Sequence, residues 1–157
     1  PDLNLMVHFS TGFGCPEQEI LKEEIVEWPV DDPLEIIKLS EWMNEDAMKQ
    51  LQPHLLKTHP NTYTYTKRLA ETLCRDEFEK GLPICIVRPS IVIPAYQEPL
   101  VGWVDSLNGP AGLMIGAAKG VIRSMLLDGD TETEAIPVDI AINGIILIAK
   151  TVASKER

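Results

Sequence analysis

Apolar residues along this chain fall into two rhythms. Unbroken short runs occur in Asn4-Leu-Met-Val-His-Phe-Ser-Thr-Gly-Phe-Gly14 and in Leu82-Pro-Ile-Cys-Ile-Val-Arg-Pro-Ser-Ile-Val-Ile-Pro94. Their length and their Val, Ile and Phe content predict buried strands of a parallel sheet. Elsewhere the spacing is helical: Glu35–Met43 places its apolar residues on one face, and Glu45–Leu56 predicts a second short helix. A third helix opens at Asn61, and Gly81 is placed to end it as a left-handed cap before Pro83, which cannot continue it. Near the end of the chain, Ile140–Ala149 is apolar but short, so a buried helix capped by Asp139 is expected rather than a membrane span. The order strand, long connection, helix, strand predicts an α/β piece.

Composition agrees with that class. The chain has 157 residues, 45% of them hydrophobic and 24% charged, as in ordinary globular domains. A net charge of −10 leaves no basic patch to displace counterions, which excludes a nucleic-acid partner. The acids gather in a helical insertion at about 17–59, most simply a solvated face. Cys15, Cys74 and Cys85 show neither metal spacing nor a paired framework, and His8, His54 and His59 form no ligand set, so no metal is expected. Reduced thiols point to an intracellular compartment. Cys74 and Cys85 are expected in the core, His8 as a strand residue with a satisfied ring, and Cys15 as the one plausible nucleophile.

Candidate chemistry begins in Asn61-Thr-Tyr-Thr-Tyr-Thr-Lys67. Four residues apart on a helix, Tyr63 and Lys67 lie on one face, so the phenol and the ammonium can converge. A free phenol keeps its proton at neutral pH, and a nearby cation stabilises the phenolate and helps it donate to a developing alkoxide. Ser10 and Thr11 follow the first strand, at the end where open α/β sheets bind ligands; two roles fit them, contacting a ligand or satisfying loop backbone.

The blocks Val7–Thr11, Pro60–Lys67 with Leu69-Ala-Glu71, Val87–Val92, Gly102–Pro110 and Ile136–Asp139 together resemble, in the same order, the signature blocks of alcohol-forming fatty acyl-CoA reductases. These are extended short-chain dehydrogenases/reductases. The resemblance spans nearly the whole chain, and five ordered blocks are far more specific than any one motif. It implies a Rossmann-like, doubly wound parallel sheet that binds NAD(P). The family's first strand and glycine-rich turn have no counterpart here, since Gly12 and Gly14 lead into Cys-Pro-Glu rather than a helix. Residues 1–157 are therefore expected to be the carboxy-terminal part of one such domain, its amino-terminal half missing. A partial sheet of that kind would leave a strand edge open and apolar surface uncovered.

The same resemblance implies NADPH as cofactor and long-chain fatty acyl-CoA as substrate, reduced through an aldehyde to a fatty alcohol. Tyr63 is then the proton donor, Thr11 (preferred) or Ser10 a hydrogen-bond partner of the reacting oxygen, and Lys67 the ribose ligand. Arg88, Pro89, Ser90 and Val92 would line the nicotinamide. Trp103 and Asn108 are the substrate-side candidates, with Trp103 equally able to plug the sheet end. It also implies a peroxisomal or endoplasmic reticulum membrane, reached only through sequence outside this chain. Two alternatives stay open: another extended reductase or epimerase, and a binding module of this architecture without chemistry.

Overall fold

The computed structural model describes residues 3–26 and 31–154, so residues 27–30 of the expected insertion lie outside the described residues. The chain divides into two compact units: the described residues up to Arg88, rejoined by 152–154, and Pro89–Thr151.

In the first unit, β1 (Met6–Phe9) pairs in parallel with β2 (Ile84–Val87), Met6 opposite Ile84 and Phe9 opposite Val87. The ladder continues past both ends, with Met6 N–H donating to the Pro83 carbonyl at 2.7 Å and Ser10 N–H to the Val87 carbonyl at 2.8 Å. That last bond sets the hydroxyls of residues 10 and 11 just beyond the strand's carboxyl end.

Between the strands run α1 (Pro33–Trp42), α2 (Glu45–Leu56) and α3 (Thr62–Glu79). Each opens on a side-chain cap that satisfies first-turn donors: Asp32 accepts from Leu34 and Glu35, Asn44 from Ala47 at 2.9 Å, and Asn61 from Thr64 at 2.9 Å. Gly81 closes α3 at φ 98°, where a side chain would be strained. Its N–H bonds the Phe78 carbonyl and the Leu82 N–H bonds the Glu77 carbonyl, the paired pattern of a left-handed helix stop. Asp31 fastens the insertion to α3, accepting from Lys57 Nζ at 3.0 Å and from the Tyr65 hydroxyl at 2.9 Å.

In the second unit, β3 (Ile91–Ile93) pairs in parallel with β4 (Ala135–Pro137), and α4 (Pro110–Ala118) lies between them in sequence. From β4 the chain passes without a loop into α5 (Val138–Ser154).

Three expectations need correction. The single strand over 82–94 is two, β2 and β3, in separate pairs. Pro89 has no N–H for a ladder, and Arg88 turns its side chain to α3. The described residues thus form two small parallel pairs in an α/β chain, as expected of an α/β piece. Asp139 is not the cap of α5 but sits inside its first turn, where its carboxylate accepts from the N–H groups of Tyr96, Gln97 and Glu98 at 2.9, 2.9 and 3.1 Å. Finally, α5 is not a buried helix: Ala141 is buried, whereas Ile146 and Leu147 are 61% and 66% exposed. No helix among the described residues is long and apolar enough to cross a membrane.

Candidate active site

Helix α3 carries Tyr63, Lys67 and Glu71 at successive four-residue steps, one stripe along a single face. Lys67 Nζ donates to the Phe9 carbonyl at 2.7 Å, at the end of β1, and stands 5.9 Å from the centre of the Tyr63 ring. This fixes a cation beside the phenol and at the strand's carboxyl end. Tyr63 is 52% exposed. Tyr65, two residues on, points the other way: it is buried, packs edge-on against His59, and its hydroxyl is held by Asp31. Burial, then the Asp31 carboxylate, raise its pKa far above that of a free phenol, so Tyr65 is a structural tyrosine.

Glu71, the next residue of the stripe, is nearly inaccessible and organises the floor of the site. Its carboxylate accepts from the Ser10 hydroxyl and takes a two-pronged bond from Arg88, Nε to Oε1 at 2.8 Å and Nη2 to Oε2 at 2.7 Å. Burial alone would raise the Glu71 pKa, but the Arg88 and Ser10 hydrogen bonds outweigh it and hold the carboxyl below its ordinary value. Three chain segments, the end of β1, the middle of α3 and the end of β2, therefore meet at one carboxylate.

That arrangement separates the two hydroxyls. Ser10 spends its proton on Glu71. Thr11 is equally buried, but its Oγ1 only accepts, from the Phe13 N–H at 3.2 Å, so its own proton stays available to another acceptor. The Arg88 side chain is taken up within the protein. All three of its nitrogens are engaged, with Glu71 and with the carbonyls of Lys22 and Glu24, which leaves only its backbone to face a cofactor.

Cys15 is buried against the guanidinium of Arg68, itself 2% exposed and bonded also to the Val26 carbonyl at 3.1 Å. Burial raises the thiol pKa more than Arg68 lowers it, the opposite of an activated nucleophile. His8 does not have the satisfied ring expected of it: its Nε2 is buried without a partner. Burial first, and the Lys67 ammonium second, hold its pKa below the ordinary value and keep the ring neutral. Cys74 is buried as expected, while Cys85 is only half-buried.

The structure brings Ser10, Thr11, Lys67, Tyr63 and Arg88 together in the first unit. Pro89, Ser90, Val92, Trp103 and Asn108 belong to the second. There Trp103 lines an open hollow of about 560 Å³ with Pro99, Val138, Asp139 and Ile142, and Asn108 is exposed. Glu71 and Arg68 have no assigned role in the sequence reading, and Asp139 only that of a helix cap. For Glu71 the signal was present, since it continues the Tyr63–Lys67 stripe by one more step of four.

Residues 1–145 match the family described as Male sterility protein, a family of NAD-binding domains. The chain is 45% identical over 145 residues to a Drosophila melanogaster protein provisionally named as a fatty acyl-CoA reductase, covering 92% of this chain and 28% of that protein. It is 42% identical over 148 residues to fatty acyl-CoA reductase 1 of Xenopus laevis, covering 94% and 28%, and 40% identical over 148 residues to fatty acyl-CoA reductase 2 of Mus musculus, covering 94% and 28%. The chain thus spans less than a third of the length of these relatives.

Proposed function

The chain belongs to the Male sterility protein family of NAD-binding domains, and from that membership we propose that it carries the proton-donating half of a reductase site acting on long-chain fatty acyl-CoA with NADPH. The observation that carries the proposal is the Lys67 ammonium, bonded to the Phe9 carbonyl at 2.7 Å and 5.9 Å from the Tyr63 ring. A phenol, a cation and the free Thr11 proton sit around one strand end, as carbonyl reduction requires.

The residues present suit a nicotinamide cofactor. Lys67 has three N–H donors and gives one to Phe9, which leaves two for the adjacent hydroxyls of a ribose. The backbone of Arg88 borders the nicotinamide in this reading. When bound, NADPH supplies hydride, first to the thioester carbonyl and then to the aldehyde left after CoA departs.

Thr11 donates its hydroxyl proton to the substrate carbonyl oxygen and so polarises it. As negative charge develops there, Tyr63 transfers its phenolic proton to that oxygen. Lys67 stabilises the phenolate and thereby lowers the cost of the transfer. Glu71 and Arg88 touch no substrate; they hold the loop after β1 against α3 so that Thr11 keeps its place. Cys15 carries no acyl group.

Incubation of the full-length protein with hexadecanoyl-CoA and NADPH tests the proposal. Two NADPH consumed per hexadecanol, with release of free CoA, is the expected result; consumption of no NADPH, or an acyl-CoA left intact, overturns it.

A further inference from the structure

The three helices of the first unit line an open cavity of about 600 Å³, and we propose that it receives the hydrocarbon tail of the fatty acyl group. This inference rests on the reductase reading above and adds where the substrate lies. The volume falls within the range of small-molecule sites. Ile36 and Ile37 of α1, Met48 and Leu56 of α2, and Leu69 and Leu73 of α3 form its walls.

The polar groups of the lining point to the occupant, because apart from the exposed side chains of Gln52 and Thr62 they are already satisfied within the protein. Ser40 donates to the Ile37 carbonyl at 2.7 Å, Thr66 to the Thr62 carbonyl at 2.8 Å, and Tyr65 to Asp31 at 2.9 Å. The two charged members, Glu45 and Lys49, pair with each other at 3.2 Å. A polar ligand would find few open partners, whereas a hydrocarbon needs none and gains by leaving water.

Continuity with the site supports the same occupant. Thr62 and Thr66, which line the cavity, flank Tyr63 on α3. The cavity face of that helix (Thr62, Tyr65, Thr66, Leu69, Leu73) adjoins the face that bears Tyr63, Lys67 and Glu71. A thioester held at Tyr63 can pass its chain around the helix into the cavity. The insertion formed by α1 and α2 is then a chain-length gauge.

The test is photolabelling of the full-length protein with hexadecanoyl-CoA bearing a diazirine at the end of the chain, followed by peptide mass spectrometry. Adducts on 33–56 or 62–73, suppressed by excess hexadecanoyl-CoA, are expected. Adducts confined to other segments, or none that excess hexadecanoyl-CoA suppresses, overturn the assignment. Labelling needs no turnover, so it is read separately from the reductase assay, and a protein that reduces acyl-CoA yet labels elsewhere refutes the cavity alone. In a second measurement, Ala70→Phe, which fills the cavity from α3, lowers kcat/KM for hexadecanoyl-CoA by roughly tenfold or more relative to octanoyl-CoA. Equal loss on both substrates, or none on either, also overturns the assignment.

Discussion

Lys67 reaches across from α3 to the Phe9 carbonyl, 58 residues earlier in the chain, and that bond of 2.7 Å sets the ammonium at the end of β1. The helix supplies the phenol, the strand end supplies the hydroxyl, and one lysine joins them. Replacing Lys67 with Ala removes the anchor, the ribose donors and the charge beside Tyr63 together. The Kd for NADPH, measured by fluorescence titration of the full-length protein, should rise at least tenfold, and turnover should fall by about 10²-fold or more.

Glu71 predicts a stability effect with a defined sign. Its carboxylate is buried and Arg88 partly so, so Glu71→Ala leaves the guanidinium without its counter-ion and should cost about 1.5–3 kcal/mol in urea unfolding at pH 7. The folded-state pKa lies below the ordinary value of 4.5, so this contribution is complete above about that pH and is lost as pH falls through the folded value. The gap between wild type and Glu71→Ala should therefore narrow on acidification below pH 4.5; a gap that widens contradicts the bonding described.

Asp139 holds three backbone N–H groups, and those bonds, from Tyr96 and Gln97 foremost, depress its pKa to about 2. The Asp139→Asn protein should exchange the amide hydrogens of residues 96–98 several-fold faster at pH 7. In the wild type the same protection should survive until the pH approaches 2, because the depressed group keeps its stabilising charge down to that value. Exchange unchanged by the substitution would contradict the role given to this carboxylate.

Cys15 separates direct reduction from an acyl-enzyme route. Its thiol is buried and its pKa raised, so Cys15→Ala should leave kcat within about twofold, and no acyl adduct should appear on the wild type by mass spectrometry. Abolished turnover with an adduct on Cys15 would replace the direct route.

What was legible in the sequence was local. The apolar spacing of Glu45–Leu56 and the helix stop at Gly81 are encoded within a few residues, and both match the structure. The Tyr63–Lys67 pair could be read because four residues make one helical step. The long-range polar pairings could not. Nothing near Ser10 tells that its hydroxyl meets Glu71, 61 residues on, and nothing in Val87-Arg-Pro-Ser shows that Arg88 turns inward and that the strand breaks there. Asp139 has the ordinary look of a helix cap, and only the folded loop at 96–98 gives it three other donors. Such choices depend on which segments meet, which periodicity does not record.

Tyr63 and Tyr65 stand two residues apart on α3, one half-exposed beside Lys67 and the other buried and bonded to Asp31. The central claim is that the first donates the proton and the second holds the fold. The direct measurement is kcat for hexadecanoyl-CoA reduction by full-length Tyr63→Phe and Tyr65→Phe proteins, side by side with their urea unfolding curves. Tyr63→Phe should lose about 10²-fold or more in kcat at unchanged stability. Tyr65→Phe should lose roughly 1 kcal/mol of stability and little of its kcat. Near-normal turnover by Tyr63→Phe, or collapse of kcat in a stably folded Tyr65→Phe protein, would contradict the account.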